Sequence, residues 1–216
     1  SLIVNAPVGS TLALSGPPDV DSAYQIFVDG HLLGGIGDFS GKTPTAYSIQ
    51  PRLFELPKSV TNGHPIIVAL RVFMGPWDIG APDAGGIHIA PTMGERSGVE
   101  ALYRMQWLET VKGYIVEVVE AFIFAMLAVM SLSLLLFDRT NTSYRWLALA
   151  LLLVGAYRAN QAIFFWGQFE SIHAFEFVSY VLLVPLCLGA WVMAWCAWFQ
   201  ITQPRWLPSS IVTMTV

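Results

Sequence analysis

Arg158, Asn160 and Gln161 interrupt an apolar run from Trp146 to Trp166, where a charged side chain is out of place. An arginine at membrane depth costs about 2.5–3.5 kcal/mol or more on insertion scales unless it is paired or reaches water. Arg158 lies about eight residues, roughly 12 Å, from the Trp166 end of its run. Glu120 lies about six residues, roughly 9 Å, inside the start of the preceding run. Short loops make such runs antiparallel neighbours, so an intramembrane ion pair of Arg158 with Glu120 is expected. Glu117 and Glu176 are close enough along their helices to join it. Such a pair either fixes helix register or lines a polar pocket that acts as a switch.

A second group, Trp77, Asp78, Asp83 and His88, falls in the Gly/Pro-rich stretch GPWDIGAPDAGGIH. A flat aromatic face beside carboxylates suits a sugar: the ring stacks and the acids accept from hydroxyls. The alternative is that Trp77 plugs a sheet edge and the aspartates serve turns. His31 and His64 adjoin a turn and a proline and read as solvated. No HxH, HExxH or paired Cys/His spacing occurs, so no metal site is expected. No catalytic residue is identified, because there is no nucleophile elbow, phosphate loop or metal triad, and Asp19 and Asp21 look like turn residues. Trp191, Trp195 and Trp198 share one helix face and read as an interfacial aromatic belt rather than pigment packing. None of the four histidines lies inside an apolar helix, so no bound cofactor is expected.

The elements that must position these residues divide the chain. Ala121 to Phe137 is free of charge. Extended back to Tyr114, it gives about 24 helical residues, about 36 Å, enough to cross a hydrocarbon core of about 30 Å. Spans are expected over about 114–137, 146–166 and 175–199, the last kinked at Pro185, with a truncated fourth from Trp206. Residues 1–110 hold six Lys/Arg and ten Asp/Glu, whereas residues 111–216 hold five of each, nearly all at the ends of apolar runs. The whole chain is 55% hydrophobic and 12% charged, about half the charge of a soluble domain. A net charge of −4 with no basic cluster argues against a nucleic-acid partner. Cys187 and Cys196 both lie in an apolar run, so no disulfide framework supports the first half. The absence of an initiator Met and leader, and the stop at Val216 inside an apolar run, suggest part of a longer protein.

Residues 1–96 carry short apolar segments punctuated by Gly, Pro, Asp and Asn, the rhythm of an all-β jelly-roll sandwich. Leu2–Val4, Thr11–Leu14, Pro65–Phe73 and Ile87–Ile89 are expected strands. Asp29-Gly30 between β-formers predicts a type I′ hairpin turn, in which both central residues take positive φ. Residues 97–112 place Leu102, Met105, Leu108 and Val111 at helical spacing. They form a connector that lies on the membrane surface or packs under the sandwich. Arg139, Arg145 and Arg205 mark one set of loops; the opposite loop, Gly167 to Ala174, has Glu170 and His173 but no Lys or Arg. The positive-inside rule then puts these arginines in the cytoplasm and the β domain outside.

The segment YQIFVDG, followed by a short Leu-Pro segment and the strand ALRV, resembles the galactose-binding-like jelly roll over Ala23 to Phe73. It is also similar to the extracellular domains of bacterial seven-transmembrane receptors with diverse intracellular signalling modules. The membrane stretch YRWLALALLLVGAYRANQAIFFWGQFESIHAFEFVSYVLLVPLCLGAW is similar to the transmembrane part of acidobacterial-type receptors. Those carry a sporulation-E-like serine phosphatase or a histidine kinase after the last helix. The resemblance implies a jelly roll followed by a helical bundle; no output-domain motif is present in these residues.

Two functions are therefore expected. In the first, an exported jelly roll takes a carbohydrate or other small molecule and moves a transmembrane bundle through the 97–112 connector, with no catalysis in this chain. In the second, the same parts are an accessory subunit that stabilises a larger membrane complex, such as a respiratory or photosynthetic assembly. The lipid bilayer is a partner in either case.

Overall fold

The computed structural model describes residues 2–3, 11–20, 23–57, 65–75 and 86–201. Among these residues there are ten strands, β1 Leu2–Ile3, β2 Leu12–Ser15, β3 Asp19–Val20, β4 Ala23–Val28, β5 His31–Ile36, β6 Leu53–Glu55, β7 Pro65–Ile66, β8 Val68–Phe73, β9 Ile87–Ile89 and β10 Thr92–Glu95. The helices are α1 Arg96–Gly113, α2 Ile115–Leu134, α3 Ser143–Trp166, α4 Ile172–Glu176 and α5 Val184–Trp198, with a π-helical segment, Phe177–Leu183, between the last two. The protein is a β region followed by membrane helices. It divides into two compact units: 1–112 with 165–172, and 113–164 with 173–216.

In the first unit every ladder is antiparallel, in two three-stranded sheets, β10-β2-β6 and β5-β4-β8, and two short ladders, β1-β7 and β3-β9. Leu12 and Leu14 of β2, Tyr24, Ile26 and Val28 of β4, and Ile36 of β5 are buried in one core. The period of two along β4 sends alternate side chains to that core. The β4–β5 turn has Asp29 at φ 48° and Gly30 at φ 82°, with Val28 opposite His31, the geometry the Asp-Gly pair predicts. The apolar run from Pro65 to Phe73 forms two strands instead of one. Ile67 is drawn out of the ladder, donating to Asp29 Oδ1 and accepting from Asp29 N–H, both at 2.9 Å.

Helix α1 is held to this unit by an ion pair from Arg96 to Glu55 at 2.8 Å, and Val99 is its one buried residue. Its apolar stripe stays out of the core: Met105 and Leu108 are exposed by 51% and 52%.

Among the described residues three helical runs are long and apolar enough to cross a membrane: Arg96–Leu134, Ser143–Trp166 and Ile172–Trp198. The helix breaks at Tyr114, whose φ of −112° and ψ of 9° leave the helical region. The expected fourth span from Trp206 lies outside the described residues. Within the second unit, α2 and α3 meet closely at Gly155, where a Cβ would lie 3.2 Å from the Ala121 carbonyl oxygen. Small residues let membrane helices approach in this way. Ser131 Oγ adds a hydrogen bond to the Tyr144 carbonyl at 3.0 Å. Pro185, expected to kink the last span, follows the π-helical segment. There the bonding shifts by one residue, so that Val184 N–H donates to the Ser179 carbonyl. A widened turn accommodates a ring that has no N–H and crowds the preceding turn.

Candidate functional site

The polar residues of the second unit gather around Arg158. Its Nε donates to Glu120 Oε2 at 2.7 Å, and its Nη1 to Gln161 Oε1 at 3.1 Å. Gln161 Nε2 donates in turn to the Tyr157 hydroxyl at 3.2 Å. The helical repeat puts Tyr157, Arg158 and Gln161 within one turn of α3, so the guanidinium is oriented by its own helix and neutralised by α2. About a third of each charged side chain remains exposed, 35% for Arg158 and 36% for Glu120. Asn160, on another face of α3, donates to Ser179 Oγ at 3.0 Å. Ser179 is fully buried in the π-helical segment. α3 thus carries polar links to both neighbouring segments, and one of those segments is the irregular turn of the last span. Irregular turns of this kind recur at functional positions.

Two expected members stand apart from the pair. Glu117 buries its Oε2 without a hydrogen-bond partner, one turn earlier on α2. Glu176 lies 3.7 Å from His173 Nδ1 on its own helical turn. Of the sugar-site candidates, Trp77, Asp78 and Asp83 lie outside the described residues. His88 sits on β9 with its side chain exposed. Among the described residues no group of three His, Cys, Asp or Glu is arranged to hold a metal ion.

A second constellation, in the first unit, has no counterpart in the sequence reading. The connection between α3 and α4 is bonded to the segment 46–52. Ile172 N–H donates to the Ala46 carbonyl at 3.0 Å, and Tyr47 bridges Ser171 in antiparallel sense. Gln168 Nε2 donates to the Ser48 carbonyl at 3.3 Å, while Arg52 Nη2 donates to Gln168 Oε1 at 2.5 Å. Tyr47 and Ile49 pack against the hydrophobic core, whereas Ser48 and Gln50, which alternate with them, are buried polar residues. That alternation is the available sequence signal. The loop itself, read only for its charge, gives no hint that it joins the β region.

Along this seam polar atoms are buried without partners: Ser48 Oγ, Gln50 Nε2, Arg52 Nε, Trp166 Nε1 and Glu170 Oε1. Tyr24 Oη, also buried and unpartnered, lies against Gly16, whose N–H donates to the Arg52 carbonyl at 2.8 Å. Each such group costs about 1–3 kcal/mol if it stays unsatisfied. Burial pushes the Tyr24 hydroxyl up to about 12 despite the nearby Arg52 charge, so it stays neutral and able to donate.

Burial also raises the Glu170 carboxyl above its ordinary value of 4.5. A raised folded-state pKa gives stability that is complete below the unfolded value and is lost as pH rises through the folded one. Glu170→Gln is therefore expected to raise the melting temperature relative to the parent at about pH 7.5 and to lose that advantage near about pH 4.5. Thermal melts of the two proteins in the same detergent check this, and parallel curves at both pH values contradict it.

Comparison with protein-family models, curated proteins and solved structures finds no match.

Proposed function

We propose that this chain is the membrane-embedded receptor region of a bacterial sensor. Its β region, a jelly-roll domain on the periplasmic side, takes a small molecule and biases the helices, and the chain itself performs no catalysis. The observation that carries the reading is the place of residues 165–172. They connect two membrane helices yet belong to the β unit, bonded to residues 46–52 through Gln168, Ser171 and Ile172. The chain therefore passes between the two units at three points along its length instead of one. A β domain that only decorated the membrane would need a single tether. The loop charges and the resemblance to periplasmic-domain receptors support the same sidedness.

A ligand moves a conformational equilibrium only by binding its two states unequally. The π-helical segment, tied to α3 by the Asn160–Ser179 hydrogen bond, is the irregular element of the helices and the one on which such a bias would act. Loosening the loop should therefore be felt there. Gln168→Ala, in lipid nanodiscs, is expected to speed backbone amide exchange in residues 177–183, with exchange of α2 unchanged. Unaltered exchange in 177–183 defeats the receptor reading. Recovery of the parent protein at fixed stoichiometry with a large complex in mild detergent would instead favour the accessory-subunit role.

A further inference from the structure

We propose that the groove between the α2–α3 turn and the end of α5 is a binding site for one phospholipid with a primary-amine headgroup, of the phosphatidylethanolamine class. Three adjoining cavities make the site, all within the second unit. A polar cavity of about 430 Å³ is lined by Asp138, Thr140, Asn141 and Tyr144 on one side and by Trp198 and Gln200 on the other. An apolar cavity of about 280 Å³ shares Ser143 and Trp198 with it. A larger apolar cavity, of about 580 Å³, shares Trp191, Trp195 and Phe199 with the smaller one and reaches Leu188. Leu188 stands ten residues, about 15 Å, before Trp198 along α5. Polar space thus opens where two membrane-crossing runs turn, and apolar space continues from it along α5 toward the membrane interior. One lipid molecule divides in the same way, into headgroup and chains. Leu188 and Trp195 are exposed by 62% and 61%, so the apolar part is open sideways to lipid. The tryptophans expected as an interfacial belt are the wall of this groove.

Charge selects the headgroup. Among the described residues Asp138 is the one acidic residue lining the polar cavity, and no basic residue lines it. Asp138 Oδ1 accepts from the Thr140 N–H at 3.2 Å and from its hydroxyl at 2.8 Å, which fixes the acid on the turn. A primary ammonium carries three donors. Asp138, the Thr140 hydroxyl oxygen and the amide oxygens of Asn141 and Gln200 are acceptors that suit them. Beside the cavity, Arg145 Nη2 donates to the Arg139 carbonyl at 3.3 Å, so a guanidinium lies over the same turn, in reach of a lipid phosphate. An acid next to a guanidinium matches an ammonium next to a phosphate, whereas a phosphatidylglycerol headgroup offers Asp138 no cation. Gln200 points the same way. Its φ of 52° lies in the left-handed region, where the residue after a helix is ordinarily glycine, and Ile201 N–H closes the turn onto the Cys196 carbonyl at 2.9 Å. Glycine there would relax the backbone and take an amide out of the cavity.

Native mass spectrometry of the full chain in detergent tests the assignment, with phosphatidylethanolamine, phosphatidylglycerol and phosphatidylcholine of matched acyl chains added back one at a time. Phosphatidylethanolamine is expected to bind at one per chain, and the other two at least tenfold more weakly. Asp138→Asn, which keeps the Oδ1 acceptor, is expected to weaken phosphatidylethanolamine about tenfold and to abolish its advantage over phosphatidylglycerol. Trp195→Ala is expected to weaken all three lipids alike. Gln200→Gly is expected to raise the melting temperature of the lipid-free chain while weakening phosphatidylethanolamine about threefold, which separates loss of the site from loss of the fold. Equal binding of the three lipids, meaning bulk lipid contact only, overturns the proposal, as does an unchanged preference in Asp138→Asn. So does a lipid-free chain that purifies as a dimer and becomes monomeric in Trp195→Ala, which would give the groove to a second copy. The lipid site needs only the membrane helices and stands apart from the receptor role.

Discussion

Arg158→Leu is expected to destabilise the detergent-solubilised chain by about 2 kcal/mol, or about 4–8 °C for a chain of this size. The loss comes from Glu120, left at membrane depth with its Oε2 no longer bonded to the guanidinium 2.7 Å away. Breaking a fully buried pair by removing one partner costs about 3–5 kcal/mol. Both side chains here are about one-third exposed, which lowers the figure. Glu120→Leu combined with Arg158→Leu is expected to recover most of the loss, because two apolar side chains replace two charges and nothing is left unpaired. Melting curves of the two single variants and the double variant measure the coupling directly. Additive losses would show that Arg158 and Glu120 act independently.

Gly35→Ala is expected to be more damaging still, and to act in the other unit. Gly35 stands opposite Gln25 in the β4–β5 ladder. A Cβ there would run into the Tyr24 carbonyl oxygen and come within 2.9 Å of Gln25 Cα. Backbone cannot step aside as a flexible side chain does, so the strands must separate or slip in register, at a cost of about 3 kcal/mol or more. Slippage would displace Tyr24 and Ile26, both fully buried in the core. Limited proteolysis of the variant should cut the β region while the membrane helices stay protected. Gly98→Ala is the control. It lies in α1 with open space around it, and it is expected to gain up to about 1 kcal/mol from helix propensity. Equal behaviour of the two alanine variants would contradict the close approach at Gly35.

How much of this was legible beforehand follows from the range of the forces involved. Long apolar runs announce membrane helices because lipid selects composition along the whole segment. Asp29-Gly30 announces its turn because positive φ at two adjacent residues is a local requirement. The meeting of Arg158 with Glu120 followed from counting depth along helices joined by short loops. Other features depend on partners distant in sequence. Ile67 leaves its strand because Asp29, far earlier in the chain, captures both its N–H and its carbonyl. Composition also misses the end of α2: the helix stops at Leu134, and the chain turns through Leu135 to Phe137 on bonds to Leu132, Ser133 and Leu134, although those residues are as apolar as their predecessors. The seam was illegible for the plainest reason. Nothing local in Gly167–Ser171 says that an eight-residue stretch around it will join the β unit through residues 46–52, more than a hundred positions earlier.

Sidedness tests the account most directly, because a receptor reading requires the β unit and the 165–172 loop to face the periplasm together. Phe169→Cys and Thr140→Cys, each in a Cys187→Ala/Cys196→Ala background, place a thiol at an exposed loop position and in the opposite turn. Treated as intact cells with a membrane-impermeant maleimide, the Phe169→Cys protein should label and the Thr140→Cys protein should label only after lysis. Labelling of the Thr140→Cys protein in intact cells, with the Phe169→Cys protein protected, would contradict the account.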